Sequence, residues 1–458
     1  APCGARKTAR LKRLLNGPSS RLRAPCGARK TARLKRLLNG PSSRLRAPCG
    51  ARKTARLKRL LVIAAVALSG CAHYVDATKD VRAAYTAYDA PKALKLLEQK
   101  YGEQDGPDRL LVLLDKGMVL HAAGRWAESR DVLAKADELA QKLDFTSVTE
   151  ETGALLGNET VRVYRGEDFE KLMISVLQAL NYAAMGDDEG ALVEIRRCNE
   201  RLEKMKAQNK PYEQLAIARY LSGMLYEDQR EWDSAAIDYV AAAELQPNLG
   251  VLNEATLRLT KKTERVDLYE RMAKKFPGVE VAAPAAADGQ VAVVIEAGEA
   301  PRKEQGKAKG GPATFVAVPV YNGRQAPVPA AVVTFGSGEV RAVPVTSIDR
   351  VAKLHLDDRI GKLVAKSLAS AGLKAGVAAG VGALTKSPEL GVLAFAALSL
   401  TQEADTRSWL SLPAEFQVAR ARLPAGKQKV VVRFRGKTTE HEVEVVPGRL
   451  KVLVLRRY

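Results

Sequence analysis

The residues able to do acid–base, nucleophilic or metal chemistry are few and scattered in this chain. Histidines stand far apart at positions 73, 121, 355 and 441. None belongs to a His-Glu-x-x-His or a Cys/His spacing that would hold zinc, so no metal and no cofactor is implied. No Gly-x-Ser-x-Gly elbow presents a nucleophile. Asp357-Asp358 offers two carboxylates, but neighbours on a helix point apart. Asp187-Asp188-Glu189 falls between two helical stretches, where solvated acids are routine. Cys3, Cys26 and Cys49 are copies of one repeated position, which leaves Cys71 and Cys198. That is too few for a disulfide framework or a metal cluster, and Cys198 on an apolar helix face reads as a packing thiol. The remaining candidates are cations. Glu194 and Arg197 lie three apart on a helix and can pair. Arg196 with Arg197, and Arg302 with Lys303, are candidate partner-binding groups, because guanidinium suits carboxylate recognition.

Cys71 is different, because its surroundings prescribe a modification. Lys58 and Arg59 supply positive charge, Leu60 to Leu68 is an apolar run, and Leu68-Ser69-Gly70 precede the cysteine. The run is too short to span a bilayer, and the order basic, apolar, small is that of a secretory signal. It resembles the lipobox of bacterial lipoproteins, in which the cysteine becomes lipid-modified and N-terminal. The resemblance implies a signal peptide over 57–70, with Leu57 a candidate start, and a mature protein held to a membrane through lipid on Cys71. Ala72 after the cysteine implies, by the same resemblance, the periplasmic face of an outer membrane.

Net charge narrows the partners. The formal +21 suggests nucleic acid, but residues 1–70 hold 19 Lys or Arg and no acid. The 73 bases of the whole chain less these 19 leave 54 against 52 acids, a net of +2. Residues 1–23 recur identically as 24–46, and a third copy starts at Ala47. Segment 1–56 therefore reads as disordered basic repeats absent from the mature protein, and the nucleic-acid reading falls with it.

Positioning elements follow from periodicity. From about 77 to 275 apolar residues recur at helical spacing, with Gly and Pro as punctuation. Gly223, Tyr226, Ala235, Tyr239, Ala242 and Pro247 hold the spacing of the 34-residue tetratricopeptide repeat. Gly223 and Ala235 let two helices approach, Tyr226 and Tyr239 fill the space between hairpins, and Pro247 stops the second helix. Weaker copies share the frame at Gly117, Leu120, Ser129, Leu133 and Ala136, and at Ala179, Tyr182, Ala191, Ile195 and Cys198. Offsets of 62 and 44 residues between frames imply extra helices or loops between them. A plain helical bundle would use the same small-residue packing.

Composition shifts at 281–288, a linker. Val291–Ile295, Phe315–Tyr321 and Ala331–Phe335 read as strands, and the basic stretch from Gly298 to Gly311 as a loop. It lacks the Gly-Lys-Ser/Thr end of a phosphate loop. Segment 348–402 reads as a helical hairpin turning near Pro388. Gly372, Gly376 and Gly380 lie on one stripe where a neighbouring helix can approach. Burial inside the protein is the plain reading of this hairpin; contact with a membrane or with another copy through 368–400 is the alternative. Strands between 416 and 455 alternate apolar and polar, as in a small β-sandwich with one wet face.

Several stretches in combination resemble a widespread family of bacterial lipoproteins with a repeat-like helical half. They are Ala179-Leu180-Asn181-Tyr182 with Ala191-Leu192-Val193-Glu194 and Arg196-Arg197, the loop from Gly298 to Lys303, and Glu403-Ala404-Asp405-Thr406-Arg407-Ser408-Trp409 leading to Leu412-Pro413. The resemblance implies an envelope lipoprotein and carries no catalytic residue. The expectation is an α+β chain. A tetratricopeptide-like domain over 71–280 is followed by a mixed α/β domain over 289–458, with hairpin 348–402 and β-strands 416–455. The expected function is a lipid-anchored periplasmic scaffold or adaptor. Its partner would be an envelope protein bound on the concave face of the repeats, in envelope or cell-wall assembly. The second reading is an enzyme or carrier acting on an envelope polymer or lipid, which convergent acids in a pocket would favour.

Overall fold

The computed structural model describes residues 74–458 apart from 103–104, 151–162, 208–214, 248, 282–287, 310–314, 323–325, 337 and 400–402. The basic repeats, the signal segment, Cys71 and most of the 281–288 linker lie outside the described residues. The chain is α+β. After a single helical turn at Tyr74–Ala77, ten helices run in antiparallel succession: α1 (Lys79–Thr86), α2 (Ala90–Tyr101), α3 (Arg109–Ala122), α4 (Trp126–Glu150), α5 (Asp168–Met185), α6 (Asp188–Ala207), α7 (Ala216–Asp228), α8 (Trp232–Leu245), α9 (Gly250–Lys262) and α10 (Val266–Lys275).

One packing device recurs in three of these pairs. A small residue on the first helix is matched by a bulky one sixteen positions later on the second: Gly117 and Leu133 in α3/α4, Ala179 and Ile195 in α5/α6, Gly223 and Tyr239 in α7/α8. All three bulky partners are fully buried. Glycine inside a helix is unfavourable by about 1 kcal/mol against alanine, so it needs a packing reason. A Cβ on Gly117 would sit 2.5 Å from Leu133 Cδ2, and one on Gly223 would overlap the Tyr239 ring. The wide frame spacing arises partly in the second helices, where α4 runs 25 residues and α6 runs 20 against 14 for α8, and partly in the connections that follow α4 and α6.

Among the described residues, eight of the strands form two four-stranded sheets. The first has the order β10-β1-β7-β6, from Leu450–Arg457, Asp288–Ala297, Glu415–Pro424 and Val343–Ser347. The second has the order β5-β4-β8-β9, from Gly338–Arg341, Val332–Phe335, Gly426–Phe434 and Lys437–Val445. β1 is parallel to β10 and antiparallel to β7. The sandwich is thus larger than strands 416–455, because β1 and β4–β6 complete it. Strand alternation explains the unbroken apolar run of β1. Val291, Val293 and Ile295 pack against Val333, Val430, Val432 and Phe434 of the second sheet. Ala292 and Val294 face the other way and join the helical core. Helices and first sheet therefore share one core, and residues 72–458 form a single compact unit.

Within the stretch expected as a basic loop, Lys303–Lys309 instead forms strand β2, which pairs with the expected strand β3 (Phe315–Tyr321) as a two-stranded ribbon. Gly306 is small because a Cβ there would meet Val320 at 2.5 Å.

Between the sheets' strands rises the helical hairpin α11 (Ile348–Thr385) and α12 (Pro388–Ser399). Ile348, Val351, Ala352 and His355 root α11 in the core. Beyond them the helix leaves it: 6% of its most apolar 18-residue window is buried. Lys386 at φ 51° closes α11, and Pro388 opens α12 at the first helical position, where its missing N–H is harmless. Gly372, Gly376 and Gly380 have open space where a side chain would be. The close approach falls one register over: a Cβ on Gly391 would lie 3.1 Å from the Ala378 carbonyl and 3.3 Å from Gly382 Cα. The expected packing stripe is thus replaced by Gly382 and Gly391, which lie where the turn brings the helices together.

Candidate functional site

The chain's own first sheet packs on the helical half, where a partner was expected, and shares its core. Buried polar bridges fasten it. His121 on α3 stands 2.7 Å from Asn181 Oδ1 on α5 and 2.8 Å from Glu296 Oε1 on β1. Asn181 donates to Ser129 Oγ at 3.0 Å, and Ser129 donates to the Gly117 carbonyl at 2.8 Å. One hydrogen-bonded chain thus runs from the first repeat frame through the second to the sheet. Glu227 on α7 accepts from Arg420 of β7 at 2.6 Å, from Arg258 at 2.5 Å and from Tyr239 Oη at 2.7 Å. Burial alone would push the Glu227 carboxyl up; Arg420 and Arg258 overcome that and hold it down at about 2. Asp228 accepts from the Leu450 N–H at 2.6 Å and from Arg449 Nε at 2.9 Å.

A second set of bridges holds the hairpin's base. Lys303 donates to Glu167 Oε1 at 2.7 Å, and Arg359 pairs with the same carboxylate. His355 Nδ1 lies 3.8 Å away. Burial pushes Glu167 up, and Lys303 and Arg359 bring it down to about 2. Arg407 of the Asp405-Thr406-Arg407 stretch is 2% exposed, spans Asp405 and Asp108 at 2.7 and 2.8 Å, and lies over the Tyr164 ring. Glu170 accepts from the Trp409 N–H at 2.7 Å. Most of these groups are buried or half-buried and bonded to one another, and they act as fasteners.

Of the expected partner-binding cations, Lys303 is therefore corrected: 3% exposed, it is spent on Glu167 because β2 turns it into the core. Arg302, the next residue outward, is half exposed and 3.3 Å from Asp76, at the lip of a shallow cleft of about 460 Å³. Arg196 is exposed and donates to Tyr226 Oη at 3.2 Å across the α6/α7 junction. Arg197 pairs with Glu194 at 2.9 Å. Arg196 and Arg197 thus leave the helix on different sides and do not form one grip. In the third frame Gly223, Ala235, Tyr239 and Ala242 are buried together between α7 and α8, Tyr226 is partly buried at their edge, and Pro247 follows the last turn of α8.

An open cleft of about 550 Å³ lies between α4, α5 and α6. Each helix contributes one face at 3–4 residue spacing: Arg130, Ala134, Asp137, Glu138 and Gln141 from α4; Ile174, Gln178 and Tyr182 from α5; Gly190, Val193, Glu194 and Arg197 from α6. Asp131 and Asp187 complete it. Sequence reading passed over the α4 acids. The signal was present in the polar positions 130, 137, 138 and 141, but a solvated helix face has the same pattern. Among the described residues no group of three or more His, Cys, Asp or Glu is placed to hold a metal ion.

No family model and no curated protein matches the chain. Among solved structures, MamA AMB-1 aligns over 45% of this chain and 93% of its own length, at 16% identity and a TM-score of 0.29.

Proposed function

We propose that this chain is a lipid-anchored scaffold of the bacterial envelope. Its helical half is tetratricopeptide-like, and it binds proteins and assembles with copies of itself. The observation that carries the reading is the uncovered hairpin. Leu384, Val392 and Leu393 are 88%, 70% and 53% exposed. The stretches 375–385 and 390–402 hold no charged residue. A helix that is apolar on every side has to be covered, by protein or by lipid.

Lipid fits poorly. α11 is long and apolar enough to cross a membrane by length and composition. On the other arm, 15 residues run from Pro388 to the residue before the charged Glu403, about 22 Å even if all were helical, and cannot return across a ~30 Å hydrocarbon core. Lys386 and Glu389 at the turn would then stop within the bilayer. A second copy fits better, since it brings an apolar hairpin of the same length, and two hairpins close into a four-helix bundle. Exposed apolar patches of this kind mark contact sites. The lipid on Cys71, carried by the lipobox pattern, would tether the assembly to the outer membrane.

Sedimentation of residues 72–458 tests the assembly. We expect a dimer or larger species. Leu384→Glu with Val392→Glu should convert it to a monomer of unchanged helicity. A wild-type monomer, or an unlipidated chain that binds liposomes through the hairpin, would contradict the reading.

A further inference from the structure

The cleft between α4, α5 and α6 carries an excess of acids. Its lining holds the acids Asp131, Asp137, Glu138, Asp187 and Glu194 against Arg130 and Arg197, a net of −3. The arginines are already engaged: Arg130 with Asp131 at 2.7 Å, Arg197 with Glu194 at 2.9 Å, while Arg201 from below grips Asp137 at 2.8 Å. Glu138 and Asp187 have no ion pair within 4 Å among the described residues. On the floor, Gln178 is 4% exposed and its Oε1 has no hydrogen-bond partner. A buried acceptor left unmade carries its desolvation cost uncompensated, which a donor entering the cleft would recover. Beside it, Glu194 is 7% exposed and the Tyr182 ring forms one wall. The floor runs from Ile174 to Tyr182, about 12 Å along α5, the length of about four residues of extended chain.

We propose that this cleft binds a short cationic segment of a partner protein. A Lys or Arg side chain enters between Gln178 and Glu194, and flanking positive charges meet Glu138 and Asp187. The chain's own sheet packs on the helical half, so recognition moves to a cleft that the sheet does not line. An acidic partner, the expectation raised by Arg196 and Arg197, is the wrong sign for this surface. The site shares no residue with the hairpin, so the monomeric hairpin variant tests it equally well, and failure of one claim leaves the other standing.

Fluorescence anisotropy on residues 72–458 with three labelled hexapeptides of alternating sequence, Lys-Ala, Glu-Ala and Ser-Ala, tests the site. The Lys-Ala peptide should bind, and the other two should not. Glu138→Gln with Asp187→Asn should weaken it roughly tenfold, and raising the salt from 50 to 300 mM should do the same, because surface charges are screened. Gln178→Met should weaken binding while the melting temperature stays level or rises, a combination a purely structural glutamine would not give. Absence of Lys-Ala binding up to millimolar peptide, equal binding of Glu-Ala, or affinity untouched by all three substitutions would overturn the proposal.

Discussion

Gly223 and Tyr239 show how far a single atom sets the helical half. Gly223→Leu should force the ring of Tyr239 aside and destabilise the protein by about 1–3 kcal/mol through overpacking; thermal unfolding measures it, and an unchanged melting temperature would mean the two helices are not in contact there. Tyr239 also donates to Glu227, so the same residue carries packing and charge. Arg420→Met would leave Glu227 buried with one guanidinium instead of two, a loss of about 3 kcal/mol or more, since breaking a buried pair strands a charge. Acid tests the same pair by another route. Glu227 is held at about 2 in the folded protein against an ordinary 4.5. The unfolded chain therefore takes up the proton first, and the stability this carboxylate contributes is complete above about pH 4.5 and is lost as pH falls toward 2. Glu227→Gln should flatten the decline in melting temperature between pH 5 and 3; an unaltered slope would assign that decline to other groups. Glu170 and Asp115, both raised chiefly by burial, act in the opposite sense.

At the scale of elements, the hairpin is rooted by its first turns and its outer part is separable. Gly391→Leu should push α12 away from α11, where the helices touch at Gly382. It should leave the melting transition of the core within about 0.5 kcal/mol, the ordinary range for changes away from the core. Gly376→Ile, which faces open space, should leave both the hairpin and the core transition unchanged. Circular dichroism with proteolysis at the 386–388 turn distinguishes them; equal protection in both would show that Gly391 makes no close contact. Local signals made much of this legible. The helical periods, the Pro388 turn and the Gly223–Tyr239 frame all lie within a few turns of one another in sequence. What escaped reading lies between distant segments. Nothing local in Lys303 says that Glu167 will claim it 136 residues away, and β1 reads as any buried strand until β7 and β10 pair with its two edges. The glycine stripe misled because spacing gives a face and leaves open which face meets the neighbour.

For the whole molecule, the helices and the first sheet stand or fall together. Residues 72–280 expressed without the sheet would bare the inner surfaces of α3, α5 and α7 and strand Glu227, Asp228 and His121. They should aggregate or remain partly unfolded, and a soluble, cooperatively melting helical half would argue for two independent domains. Mature protein should likewise begin at Cys71 with lipid attached, and Cys71→Ser should release it from membranes; recovery of Arg-rich peptides from residues 1–50 in the mature form would count against that anchor. The most direct trial of an assembling scaffold uses the chain's own lack of reactive thiols. Cys198 is buried and its thiol is pushed up to about 12 by burial, so residues 72–458 are silent toward mild oxidant. Val392→Cys on the hairpin should then give a disulfide-linked dimer, while Val266→Cys, 63% exposed on α10, should stay monomeric. Equal dimer yields from the two positions, or none from Val392→Cys, would contradict the account.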